Sequence, residues 1–300
     1  MAENIFFGLF IKLFLASCIL PIKGRDISKL LGGEYKVELD GTQIGDAISN
    51  KLSGSSTLGF PKIKAASDDG YTHDVQPLSE SLAYIGATNN LFGTELVAAG
   101  VHVYPRMYNN SDLRFFTYWT DGAKSCYNDN CPGFVIANGS NLLPGEALAP
   151  LSDYGGNIRY ITIRIKKDEK TGDWSLYRED KGGPIGGMTL LGWWPKNLFN
   201  SLSDYANIIQ WTGEVTYQQN ETGPSMGSGQ FSDDHDRGKA ASFYGLYGFD
   251  NYGTIYNNEY NPIPFADKPE CYNLSPWYDP SFSSREKTHF FYGGPSGCSQ

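Results

Sequence analysis

The residue with the most suggestive setting is Glu214, in the run Ile209-Gln210-Trp211-Thr212-Gly213-Glu214-Val215-Thr216-Tyr217. A carboxylate in mid-strand beside a small glycine fits strand propensity poorly and a cleft well. Alternation puts Ile209, Trp211, Val215 and Tyr217 on an apolar face and Glu214 with Gln210, Thr212 and Thr216 on the other. A second strand, Val97-Ala98-Ala99-Gly100-Val101-His102-Val103-Tyr104, divides the same way. Val97, Ala99, Val101 and Val103 form its core face, and Ala98, Gly100, His102 and Tyr104 lie opposite. Carboxylate and imidazole are the side chains that move protons most readily in catalysis.

Other patterns carry less. Gly223-Pro224-Ser225-Met226-Gly227 has the spacing of a nucleophile elbow, but that device needs a strand, a turn and a helix within an α/β sheet. Asp233-Asp234-His235-Asp236 offers metal-binding atoms, yet four consecutive residues cannot all converge on one ion in an extended chain. Gly182-Gly183-Pro184-Ile185-Gly186-Gly187 lacks the Lys-Ser/Thr that completes a phosphate cradle. No H-E-x-x-H is present, and no metal or cofactor is expected.

The elements that position these residues are short strands. The chain has 300 residues, with 35 glycines, 20 tyrosines, 17 phenylalanines and 19% charged residues. Such a chain makes many pleated segments joined by glycine turns, and long amphipathic helices are not expected. The isoleucines of Tyr160-Ile161-Thr162-Ile163-Arg164-Ile165-Lys166 mark one strand. Asp168 to Asp173 forms a turn, and Trp174-Ser175-Leu176-Tyr177 returns as the second strand of a hairpin. A short helical turn is expected at Pro195, with Leu198, Phe199 and Leu202 packing inward. The expected class is an all-β antiparallel sandwich of two sheets.

A formal charge of −9, from 24 Lys and Arg against 33 Asp and Glu, argues against a nucleic-acid partner. Residues 1–22 read as a secretory signal, with an apolar run from Phe6 to Leu15 followed by Ala16-Ser17-Cys18. Residues 23–75 read as a short polar leader or linker, and 76–300 as the domain. Beyond the signal no membrane segment is expected, and a monomer is. Without Cys18, four cysteines remain, Cys126, Cys131, Cys271 and Cys298. In an exported chain these imply two disulfides; of the three possible pairings, the local one closes two small loops. Sequons at Asn109, Asn138, Asn220 and Asn273 agree with export.

Several ordered blocks resemble the neprosin family. They are Gly100-Val101-His102-Val103-Tyr104-Pro105, Phe115-Phe116-Thr117-Tyr118-Trp119-Thr120, Ser125-Cys126-Tyr127-Asn128 with Cys131-Pro132-Gly133-Phe134, and Asp153-Tyr154-Gly155-Gly156. Leu191-Gly192-Trp193-Trp194-Pro195, Trp211-Thr212-Gly213-Glu214-Val215, Met226-Gly227-Ser228-Gly229 and Phe291-Tyr292-Gly293-Gly294-Pro295 continue them. The resemblance implies a β-sandwich with a substrate cleft across one sheet, and disulfides Cys126–Cys131 and Cys271–Cys298. It also implies secreted glutamic endopeptidases that cut after proline with two glutamates. One activates a water; the other, protonated, polarises the carbonyl and supplies a proton to the leaving nitrogen. Two close carboxylates do not both ionise cheaply, so such a pair works best in acid.

On that mapping Glu214 is the second catalytic glutamate, and the first falls at Ala98, which cannot move a proton. Tyr104, His102, Gln210 and Thr212 would line the cleft. Neither Glu95, an odd step away, nor His102, four residues along, is a convincing substitute. The expectation is a neprosin-like peptidase with activity weakened or lost. A glutamate restored at position 98 should then return post-proline cleavage. The alternative is a non-catalytic extracellular binder of proline-rich peptides, which suit aromatic grooves.

Overall fold

The structure, a computed structural model, describes residues 11–21, 56–59, 80–88, 95–179, 187–204, 206, 208–218, 222–246, 248–249, 255–256, 263–266, 268–278 and 288–298. In chain order its strands are β1 (Ile11–Pro21), β2 (Ser56–Gly59), β3 (Glu80–Thr88), β4 (Leu96–Val103), β5 (Arg114–Thr120) and β6 (Ser125–Tyr127). There follow β7 (Val135–Ile136), β8 (Tyr160–Lys167), β9 (Trp174–Glu179), β10 (Met188–Trp194) and β11 (Ile208–Gln218). The last are β12 (Ala241–Tyr244), β13 (Gly248–Phe249), β14 (Ile255–Tyr256), β15 (Ile263–Ala266), β16 (Asn273–Leu274) and β17 (His289–Gly293). Helix is confined, among the described residues, to one turn at Pro105–Tyr108 (α1) and to 3-10 turns at Lys196–Leu198 and Ser232–Asp234. No helix among them is long and apolar enough to cross a membrane.

Two large sheets carry the fold. The first, sheet A, runs β15-β1-β11-β3-β4-β5-β6; the second, sheet B, runs β16-β17-β12-β2-β8-β9-β10-β7; β13 and β14 make a small ribbon. The pairings are antiparallel, as an all-β sandwich requires. Between the sheets lies the main core. Sheet A gives it Val97, Ala99, Val101, Val103, Phe115, Trp119, Ile209, Trp211, Val215 and Tyr217, and sheet B gives Ile161, Ile163, Ile165, Trp174, Leu176, Leu191, Trp194, Phe243, Phe290 and Tyr292. The inward alternation read from β4 and β11 is therefore the alternation observed. Gly213 belongs to this face: a Cβ there would run into the Tyr292 ring and stand 3.1 Å from Met226 Sδ.

The hairpin β8–β9 forms as its sequence implies. Asp168 Oδ1 accepts the amides of Lys170 at 2.9 Å and Thr171 at 2.8 Å, which holds the turn closed. The outward face of β8 differs from a solvated one, since Thr162 and Lys166 are buried along with the isoleucines. Neighbouring Lys167 is buried too, donating to the carbonyls of Gly172 at 2.7 Å and Ser203 at 2.6 Å. Disulfides join Cys126 to Cys131 and Cys271 to Cys298, with Cα separations of 6.1 and 5.5 Å.

The sheets also draw on residues upstream of position 76. Strand β2 lies between β12 and β8, and β1, inside the segment read as a signal, lies between β11 and β15.

Candidate active site

The candidate residues share the face of sheet A turned away from sheet B. In an antiparallel sheet, residues directly opposite one another point the same way, so register places each of them. On β3, Leu82 pairs with Glu214 of β11 and with His102 of β4. Four residues along β3, Gly86 pairs with Gln210 on one side and Ala98 on the other. Glu214 and Ala98 thus share a sheet and a face, as strand parity implies, but not a row.

The offset sets the chemistry. Four residues along a strand is about 13 Å and two strand spacings are about 10 Å, so the two β-carbons stand about 16 Å apart on the diagonal. No pair of glutamate side chains at these positions could hold one water. A glutamate at 98 would instead face Gln210 across Gly86, which has no side chain to intervene. The expectation that restoring position 98 completes a pair with Glu214 is corrected by this register.

Position 98 is also filled in. Ala98 is 1% exposed, packed with Leu96 and Phe116 and flanked by Tyr118 and Tyr127. Phe116 stands opposite Gly100, and its ring stacks on the imidazole of His102 at 4.6 Å. Tyr104, Tyr108 and Tyr127 surround that imidazole at 6.0, 5.5 and 5.7 Å. His102 is 0% exposed, and its Nε2 is 3.1 Å from the Tyr108 hydroxyl. Burial, reinforced by the Arg114 guanidinium, lowers its pKa to about 3, so the ring is neutral at ordinary pH. α1 accounts for this: the chain turns back after β4 and brings Tyr108 over the sheet, where Asn128 donates to its hydroxyl at 2.7 Å.

The other candidates are less enclosed, with one exception. Glu214, Gln210 and Tyr104 are partly exposed, while Thr212 is buried with a hydroxyl that has no hydrogen-bond partner among the described residues. Glu95, 4% exposed, serves the loop after β10: its Oε1 accepts Asn200 N at 2.8 Å, and its Oε2 accepts Leu202 N at 2.7 Å and the Ser201 hydroxyl at 3.3 Å. Such a carboxylate holds a loop, a role that sequence reasoning missed because its partners are more than a hundred residues away. Of the sequons, Asn109 and Asn138 are exposed and Asn220 lies outside the described residues. Asn273 accepts Ser232 N at 2.9 Å and donates to Asp233 at 3.3 Å, so its amide is already engaged.

The weaker motifs stay apart from this face. Ser225 is buried in a loop, and the nearest helical element after it is the 3-10 turn at Ser232–Asp234. Among the described residues no group of His, Cys, Asp and Glu could hold a metal ion. Residues 182–186 of the glycine run lie outside the described residues.

Comparison with known proteins follows from this geometry. The crystal structure of Scytalido-glutamic peptidase with a peptide based transition state analog superposes at a TM-score of 0.40 and 8% identity, covering 95% of this chain and 100% of that one. A likeness of that size is too low to argue from. The family model for Neprosin matches residues 76–295, well over half of the 300-residue chain. The ordered sequence blocks, both disulfides and a match of that extent agree, and the chain belongs to the neprosin family.

Proposed function

We propose that this chain is an exported member of the family that keeps a peptide-binding face and has lost hydrolysis. The observation that supports it is the pairing of Ala98 with Gly86 and Gln210 while Glu214 pairs with Leu82. A glutamic peptidase needs one group to deprotonate water and another to protonate the leaving nitrogen. Glu214 is half-buried and could do either, but position 98, where the family resemblance puts the other glutamate, holds a methyl group under aromatic rings and lies about 16 Å away on the diagonal. The ligand class is proline-containing peptides. Tyr104, Tyr118 and Tyr127 offer partly exposed rings on the same face, suited to extended proline-rich segments. Export accords with the apolar N-terminal segment, two disulfides and exposed sequons at Asn109 and Asn138.

Fluorescence anisotropy with a proline-rich peptide, beside a cleavage assay on the same peptide from pH 3 to 7, tests the reading. Saturable binding without cleavage is expected. Cleavage that disappears in Glu214→Gln would contradict it.

A further inference from the structure

Strand β1 is held in an unusual way. All eleven of its residues pair with β11, from Ile11 opposite Gln218 to Pro21 opposite Ile208, and Leu15 stands opposite Glu214. On its other side, among the described residues, Ala16 to Ile19 pair with Ala266 to Ile263 of β15. That flank is weak by chemistry. Pro264 of β15, opposite Cys18, has no amide to donate, and Pro264 and Phe265 are exposed. β15 is the edge strand of sheet A, so the space β1 fills is a slot with one long fixed wall and one wall beside solvent. Its occupant is also the segment whose sequence reads as a leader removed on export.

A strand that leaves such a place uncovers the amides and carbonyls along β11, and unpaired edges recruit another strand. We propose that the slot between β11 and β15 is a binding site for an extended apolar peptide of about eleven residues, taken up antiparallel to β11 by strand addition. In the uncut chain its own Ile11–Pro21 is the occupant. The proposal rests on the export reading above only in that removal of the leader is what vacates the slot. Backbone pairing supplies most of the affinity, so prolines inside the paired stretch are disfavoured, each removing a ladder hydrogen bond. This ligand lies along the sheet edge beside Glu214, and differs from the proline-rich ligand of the aromatic face.

The test uses the full chain with a site-specific protease sequence inserted between Lys23 and Gly24. After the folded protein is cut, the N-terminal fragment should co-elute with the body on gel filtration. An excess of fluorescein-labelled peptide with the sequence of Ile11–Pro21, carrying Cys18→Ser, should displace it. Binding to the cut protein should be saturable and at least about tenfold weaker for the Leu15→Pro peptide, and the uncut protein should bind at least about tenfold less than the cut one. A fragment that dissociates with no uptake of labelled peptide, a fragment that excess peptide fails to displace, or equal binding to cut and uncut protein would each overturn the proposal. Hydrolysis is not part of the readout, so failure here leaves the reading of the broken pair standing.

Discussion

Glu214 and His102 stand in one row of sheet A with only Leu82 between them, while Ala98 stands four residues away in the row of Gln210. Two strand spacings put their β-carbons about 10 Å apart. His102 is moreover sealed and neutral at ordinary pH.

A glutamate placed at 98 should not revive the family's chemistry. Ala98→Glu pushes a carboxyl under Phe116, Tyr118 and Tyr127 and should lower stability by about 2 kcal/mol or more, read from thermal unfolding. Any cleavage gained in that background should be lost with Gln210→Ala and kept with Glu214→Gln, the reverse of what a pair with Glu214 would give.

His102 makes the fold acid-sensitive. Its folded pKa of about 3 lies below the unfolded value of 6.5, so the unfolded chain takes up the proton first. The stability this group allows is complete above about pH 6.5 and declines as pH falls towards 3, by about 1.4 kcal/mol per unit. Between pH 7.5 and 5 the native protein should lose about 2 kcal/mol more than His102→Gln, which starts less stable but has the flatter profile. Equal slopes in chemical denaturation would remove His102 from this role.

Glu95 should matter to folding and not to ligand binding. Glu95→Ala leaves the amides of Asn200 and Leu202 without their acceptor, and bonds to a charged group are worth about 1.5–3 kcal/mol each. A loss of about 3 kcal/mol is expected, with peptide affinity unchanged. A weakened peptide complex at full stability would place Glu95 in the site instead.

Gly213 sets how closely the sheets approach behind Glu214. A methyl group there meets the Tyr292 ring and Met226, so Gly213→Ala should cost about 1–3 kcal/mol in urea unfolding. A neutral effect would mean that Tyr292 moves aside freely.

Much of this was legible before any coordinates. Alternation in Val97 to Val103 and Ile209 to Tyr217 separated core from outer face because side-chain direction in a strand repeats every two residues. Asp168 announced the β8–β9 turn through a side chain that closes it locally. The row of Glu214 could not be read, because it is set by the ladder to an intervening strand, Glu80–Thr88, and parity does not distinguish a four-residue offset from none. The sealing of His102 was hidden as well, since it depends on α1 folding Tyr108 back over the sheet. Composition marked Ile11–Pro21 as an export segment, and nothing in its apolar character separates that from a sheet strand.

The central claim, that Glu214 and position 98 do not form a proton-transfer pair and hydrolysis is lost, is tested most directly by incubating the native protein and Glu214→Gln with a fluorogenic post-proline peptide from pH 3 to 7. General acid–base help from one positioned group is worth about 10²–10⁴-fold. The account predicts that both proteins match the no-enzyme rate at every pH. Acid-dependent cleavage by the native protein that falls at least about a hundredfold in Glu214→Gln would contradict it.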